Sequence, residues 1–169
     1  MDYGLAILRL LHVFSTVFWI GIAVTNIIFI VPAAAKAGPE GGKFMGVLLR
    51  GPLIAATNIA IVVAALSGIA LYWQDSNGQQ GWSTSGPGIA FGIGAFFGLA
   101  AAGVFGALTT PAFRSMVKLG AEIETGGGPP TAEQVVRLGA LRTRSLMVGR
   151  LNAGLLAGAL FFMILGGSY

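Results

Sequence analysis

The sequence contains no cysteine and a single histidine, His12, among its 169 residues. Without thiols the chain forms no disulfide, iron–sulfur cluster, thiolate nucleophile or zinc-finger-type site. With one imidazole, a single chain also lacks any site that needs two histidine ligands. Charge is scarce as well, because Asp, Glu, Lys and Arg make up only 9% of the residues, whereas a soluble domain usually has about a quarter. These absences exclude an ordinary soluble domain.

Hydrophobic residues are abundant instead: they make up 55% of the chain, and the mean hydropathy is +0.82. A helix of about 20 apolar residues crosses the hydrocarbon core of a bilayer. We predict four such helices, near residues 4–31, 52–73, 88–110 and 146–166. No stretch has the pattern of a convincing strand. The predicted fold class is therefore all-α, a polytopic membrane protein with four transmembrane helices in two tandem hairpins that form one domain over residues 1–169.

The two hairpins have similar sequence features. The first predicted span ends in Val31-Pro32-Ala33 and the third in Thr110-Pro111-Ala112, each followed by a basic segment, which suggests an internal duplication. The first basic segment opens with a predicted turn at residues 38–42, which are rich in Gly. The second, a predicted cytoplasmic loop over residues 111–145, is broken by the Gly and Pro residues at 126–130. Thr131 and Gln134 then have the spacing of a capping box that starts a long helix through the fourth span.

Basic residues predict which side of the membrane each segment faces. All lysines and arginines except Arg9 fall in or beside the segments that follow spans 1 and 3. They are Lys36, Lys43, Arg50, Arg114, Lys118, Arg137, Arg142, Arg144 and Arg150. Because cytoplasmic loops are enriched in Lys and Arg, we expect these segments in the cytoplasm and both termini outside. The sequence pI near 10.0 therefore indicates topology and not a nucleic-acid partner.

The aromatic residues support the same arrangement. Tyr and Trp prefer the headgroup level of a bilayer, where one end of the side chain is dry and the other wet. Those at or beyond the opposite ends of the spans are Tyr3, Tyr72, Trp73, Trp82 and Tyr169. They mark the predicted outer surface of the membrane.

His12 is the main candidate for chemistry, because an ionisable side chain inside a membrane is costly and usually has a function or a partner. It belongs to a polar and aromatic stripe on one face of the first helix, which should point into the bundle or toward a partner. The stripe comprises Arg9, His12, Thr16, Trp19, Ala23 and Asn26. A neutral imidazole nitrogen is a good ligand for a metal, and here it suits haem iron or another tetrapyrrole metal. Arg9, one turn away, would then hold an anionic group such as a propionate or a lipid phosphate, and Trp19 completes the candidate cofactor-binding set.

A structural role for His12 is the alternative. In that interpretation the imidazole forms a hydrogen bond with the second span, where Thr57, Asn58 and Ser67 are possible partners. The sequence leaves both interpretations open. Met163 is a second haem ligand in principle, although the five methionines are scattered and do not form a copper-binding series.

A stretch of the first helix, Leu11–Gly21, resembles the first helix of bacterial CopD-like and HemJ-like membrane proteins. Those proteins begin with a Leu-His pair followed by an aromatic-Trp-x-Gly motif about seven residues later. The similarity continues loosely through Gly38–Lys43 and Leu66–Trp73, and so covers about half of the chain. The resemblance implies a haem role for His12 or a link to copper uptake, although the further histidines of those families have no counterparts here.

Three functions follow from these observations. The first is a non-catalytic integral membrane subunit or assembly partner of a larger, energy-transducing complex. The second is a b-type haem redox protein that uses His12 as axial ligand, and the third is a small copper-handling or transport protein. Because no constellation of catalytic groups is visible, an enzyme is the less favoured interpretation. The expected partners are the lipid bilayer and other membrane subunits or further copies of the chain, in a bacterial inner membrane.

Overall fold

A computed structural model of the protein describes residues 3–77 and 79–168, and over these residues the chain is helical with no strand. The helices are α1 (Tyr3–Thr25), α2 (Val31–Lys36), α3 (Gly38–Arg50), α4 (Leu53–Ser76), α5 (Gly86–Val104), α6 (Thr110–Thr125) and α7 (Ala132–Gly166). A turn of π-helix joins α1 to α2 at Asn26–Ile30, and another joins α5 to α6 at Phe105–Thr109. A short 3-10 helix, Trp82–Thr84, precedes α5. The predicted all-α fold is confirmed, and Tyr169 lies outside the described residues.

Four continuous helical segments are long and apolar enough to span a membrane. They are span 1 (Tyr3–Lys36), span 2 (Leu53–Ser76), span 3 (Gly86–Thr125) and span 4 (Ala132–Gly166). Each contains the corresponding predicted helix to within one residue, so the prediction of four spans is confirmed. Span 3, at 40 residues, is about 60 Å long and is therefore about twice as long as the hydrocarbon core is thick. Spans 1, 3 and 4 extend beyond the predicted helices at the end that carries the basic residues, here called the basic end.

The segment over residues 111–145 is not a loop in conformation. It consists of two helical extensions, and only residues 126–131 between them are not helical. Gly127 has φ +64°, which reverses the chain. The backbone N–H of Gln134 donates to Thr131 Oγ1 at 3.2 Å, and the backbone N–H of Thr131 donates to Gln134 Oε1 at 2.9 Å. The predicted capping box is confirmed, and it starts a 35-residue helix.

The predicted turn at residues 38–42 is wrong, because helix α3 already begins at Gly38. Gly38 has φ +60°, a conformation that ends α2 and reorients the chain at little steric cost. Pro39 follows in the first turn of α3, where its missing N–H leaves no hydrogen bond unmade. Gly41 lies directly against the backbone of Ala34, so no side chain fits between α2 and α3. These glycines form a tight helical corner, whereas the sequence pattern indicated an irregular turn.

The two hairpins pair span 1 with span 2 and span 3 with span 4. Each span contributes one buried residue to the central cluster, which consists of Trp19, Ile61, Ala101 and Leu156. An interhelical hydrogen bond crosses the bundle beside this cluster, from Asn152 Nδ2 to the carbonyl oxygen of Ala101 at 2.7 Å. The residues in the middle of the bundle are therefore held by close packing and by a side chain that bonds to the backbone of a neighbouring helix.

The π turns occupy equivalent places in the two hairpins. Asn26–Ile30 ends two residues before Pro32, and Phe105–Thr109 ends two residues before Pro111. The offset is 79 residues for both the turns and the prolines. Proline lacks the N–H that would continue an α-helical ladder, and a π turn is one way for a helix to accommodate the interruption. The shared geometry supports the duplication suggested by the sequence.

Candidate ligand site at His12

His12 lies at the contact between spans 1 and 2. Its Nδ1 is 2.9 Å from the carbonyl oxygen of Ala64, and Ser67 Oγ is 3.4 Å from the same nitrogen. The imidazole ring lies on Gly68, where an added Cβ would come within 2.8 Å of His12 Cε1. The hydrogen bond to Ala64 and the contact with Gly68, one turn further along α4, therefore fix both the position and the orientation of the ring.

The hydrogen bond also determines the tautomer of the neutral ring. A carbonyl oxygen only accepts, so Nδ1 must carry the proton and donate to Ala64. Nε2 then carries the lone pair, and no hydrogen bond to it is formed within the described residues. Metal-ligating histidines commonly have this arrangement, in which one nitrogen donates to a backbone carbonyl and the other binds the metal.

The alternative interpretation predicted that the imidazole forms a hydrogen bond with span 2, and this hydrogen bond is confirmed. Of the three side chains named on span 2, Ser67 lies beside the imidazole. Thr57 and Asn58 instead donate to carbonyls of their own helix, at Leu53 and Ile54. The strongest contact, with the Ala64 carbonyl, was not among the predicted partners. This hydrogen bond uses only Nδ1 and therefore leaves ligation through Nε2 open.

The depth of His12 follows from both helices. It is nine residues from Tyr3 on span 1, and Ala64, its partner, is nine residues from Trp73 on span 2. At 1.5 Å per residue both separations are about 14 Å, so the imidazole lies well inside the aromatic end of the bundle. Arg9 is one turn closer to that end, exposed, and without an ion pair among the described residues. His12 and Arg9 thus form a short polar strip on span 1.

Trp19 belongs to the core and not to this strip. Its side chain is 4% exposed and contacts the central cluster, two turns along α1 from His12. The indole Nε1 is buried without a hydrogen-bond partner, as is the hydroxyl of Thr16 one turn before it. Asn26, further along the predicted stripe, lies at the first π turn beside Leu48 of α3. Trp19 and Ala23 of the predicted stripe therefore face the core and His12 contacts span 2, whereas Arg9 is exposed.

A shallow groove lies between spans 1 and 2, and His12 is not among the residues that line it. It has a volume of about 500 Å3 and is lined mainly by apolar side chains, with Leu11, Phe14 and Ser15 on α1 and Ile59 and Val63 on α4. Such a surface suits the apolar body of a ligand or of a lipid. The groove therefore offers an apolar surface on the same helix pair that holds the imidazole.

The other predicted ligand does not lie in this region. Met163 packs against Gly94, so it is placed between spans 4 and 3. Within the described residues no group of three or more His, Asp or Glu side chains is arranged to hold a metal ion. Within the described residues, the candidate metal-coordinating atom is therefore His12 Nε2.

Comparisons with protein-family models, with curated proteins and with solved structures find no match to this chain. The resemblance of residues 11–21 to CopD-like and HemJ-like proteins therefore stays a prediction.

Proposed function

We propose that this chain is a membrane-embedded haem-binding protein in which His12 is the axial ligand through Nε2. The observation that carries the proposal is the hydrogen bond from Nδ1 to the Ala64 carbonyl, which orients the ring and assigns the lone pair to Nε2. A bound b-type haem would supply one-electron redox chemistry. The chain would supply the ligand and its orientation, through the hydrogen bond to Ala64 and the contact with Gly68.

The residues present fit one axial ligand. The imidazole is anchored on Gly68 and Ala64, so ligation requires little further ordering of the side chain. Arg9, one turn toward the aromatic end and free of carboxylate partners among the described residues, suits a haem propionate. Since His12 is the one histidine of the chain, a second imidazole ligand would have to come from another chain.

An absorption spectrum tests the proposal. The detergent-purified protein, oxidised and then reduced with dithionite, should show a Soret band that is lost in His12→Gly and regained when imidazole is added to that variant. Recovery of the Soret band with free imidazole would indicate that the ring acts as a ligand. A ring that only packs between the helices has to be attached to the chain, so free imidazole would not replace it. Asn58→Ala is the matched control, since Asn58 bonds only within its own helix, and its spectrum should be unchanged. A featureless spectrum from folded protein supplied with haem would contradict the proposal.

A second candidate is a non-catalytic subunit of a larger membrane complex. It is favoured by the exposure of span 1: 6% of its most apolar window is buried, against 28%, 28% and 22% for spans 2, 3 and 4. Phe14, 71% exposed, lies on the face of span 1 that borders the groove toward span 2. A neighbouring helix at this face would make span 1 as well covered as the other three spans.

Site-specific crosslinking tests the second candidate. A photoreactive residue at Phe14 should crosslink in the native membrane to one defined protein that also purifies in stoichiometric amount. The same residue at Ile164 on span 4, which is 65% exposed, serves as the control and should crosslink only to lipid. Crosslinks to lipid alone at both positions would reject the subunit function.

The topology belongs to the same proposal. We infer a multi-pass protein of a bacterial inner membrane with the basic end in the cytoplasm and both termini outside. The support is the concentration of Lys and Arg at one end of the four spans, together with the Tyr and Trp residues at the other. In this orientation His12 and Arg9 lie in the outer half of the membrane.

A further inference from the structure

Helix α3 exposes apolar side chains at the basic end. Phe44 is 53% exposed and Val47 is 74% exposed, whereas Leu49 on the opposite face is 7% exposed. Contact of such side chains with water is unfavourable by roughly 25 cal/mol for each Å2 of apolar surface. The exposed edge of α3 therefore needs an apolar medium or a partner to cover it.

The position of α3 relative to spans 1 and 2 indicates what covers its exposed edge. Leu48, next to Val47, shares a groove with Ile30 at the end of the first π turn and with Leu53, the first residue of α4. Ile30 and Leu53 lie where the apolar parts of spans 1 and 2 reach the basic end. The C-terminal end of helix α3 therefore lies beside the basic ends of the apolar parts of spans 1 and 2.

Basic side chains flank the apolar edge. Lys43, Val47 and Arg50 are spaced at i, i+4 and i+7 and are exposed on one helix face. Lys43 pairs with Glu40 at 2.7 Å and Arg50 with Glu124 at 3.0 Å, but both pairs are well exposed and so contribute little. Every Lys and Arg except Arg9 lies at this end, against four acidic residues: Glu40, Glu122, Glu124 and Glu133. A partner of opposite charge is thereby favoured.

We propose that α3 is an interfacial helix that binds anionic phospholipids. Phe44 and Val47 insert at the boundary between headgroups and acyl chains, while Lys43 and Arg50 contact lipid phosphates. Amphipathic helices with an apolar edge and flanking cations bind membrane surfaces in this way, and each cation near an anionic surface contributes attraction. The proposal is independent of haem binding at His12.

Because the chain contains no cysteine, a thiol-reactive label attaches only to a cysteine that is introduced by substitution. Full-length Val47→Cys, labelled with an environment-sensitive fluorophore and reconstituted into phosphatidylcholine–phosphatidylglycerol vesicles, should be quenched by lipids with a nitroxide near the headgroup. Val136→Cys is the matched control, since Val136 is 72% exposed but lies 13 residues before Gly149, which contacts Ile27 near the rim. That separation is about 20 Å along α7, so the control label should be quenched by aqueous iodide instead.

The choice of lipid tests the charge requirement. Nitroxide-labelled phosphatidylglycerol should quench the label at residue 47 more strongly than labelled phosphatidylcholine, and Lys43→Gln should reduce the preference roughly fivefold. Arg137→Gln, near the tip of α7, should leave it unchanged. Three results would overturn the proposal: iodide quenching at residue 47, equal quenching by the two lipids, or protection from both iodide and lipid, which would indicate a protein cover.

Discussion

His12 and Phe91 occupy matching places in the two hairpins, 79 residues apart, the same offset that relates the π turns. The ring of His12 lies on Gly68 in span 2, and the ring of Phe91 lies on Gly166 in span 4. An added Cβ would come within 2.8 Å of His12 Cε1 and within 2.9 Å of Phe91 Cδ1. The first hairpin thus carries an imidazole where the second carries a plain aromatic ring. The two halves of the bundle therefore differ in chemistry at the position of the candidate ligand.

Gly68→Ala should therefore destabilise the protein, because the new methyl group displaces an imidazole that is held by its hydrogen bond to Ala64. Overpacking of this kind costs about 1–3 kcal/mol, measurable as the free energy of unfolding in mixed detergent. Gly98→Ala is the control, since nothing lies within 4 Å of its added Cβ, and it should be neutral or slightly stabilising. Equal effects at the two glycines would refute the contact.

Asn152 provides a test of the polar contact in the middle of the bundle. Asn152→Ala removes the hydrogen bond to the Ala101 carbonyl and should lower the free energy of unfolding by about 0.6 kcal/mol, the average for such bonds in membranes, and by no more than about 1.7 kcal/mol. Asn58→Ala loses only a bond to Ile54 within its own helix and should have a smaller effect. If the two variants were equally stable, the interhelical bond would contribute nothing.

Trp19 distinguishes core packing from a ligand contact. Trp19→Ala should cost about 3–5 kcal/mol of unfolding free energy, because the indole fills the centre of the bundle. Trp19→Phe should cost less than Trp19→Ala, since a smaller ring still fills part of the space and Nε1 has no hydrogen-bond partner to lose. A cost for the Phe variant as large as for Ala would mean that the indole N–H binds a water or ligand. Trp73→Phe, at a position that is 71% exposed, controls for the loss of an indole.

Much of the fold could be predicted from the sequence because its main determinants are properties of residue types. Apolar length determines the four spans, and the hydroxyl of Thr131 together with the amide of Gln134 determines the start of α7. The face of α1 that contains His12 and Trp19 follows from helical periodicity alone. These features need no knowledge of which helix lies next to which.

The details of the candidate site depend on that neighbourhood and could not be predicted. The partner of His12 is the backbone carbonyl of Ala64, and every residue has a carbonyl, so nothing in the side chains identifies this one. Gly68 resembled any other glycine in an apolar helix until its contact with the ring was seen. The helical start of α3 was also missed, because a stretch rich in Gly and Pro is typical of turns and its contact with Ala34 is tertiary.

The proposed orientation of the bundle leads to a prediction that single cysteines can check, because the chain has none. Ser83, between spans 2 and 3, should label outside, whereas Gly128, between spans 3 and 4, should face the cytoplasm. In intact cells a membrane-impermeant maleimide should therefore label Ser83→Cys at once and Gly128→Cys only after permeabilisation. Both positions are exposed, so a difference in labelling reports sidedness and not burial. The opposite pattern would place His12 and Arg9 in the inner half of the membrane and would reject the proposed topology.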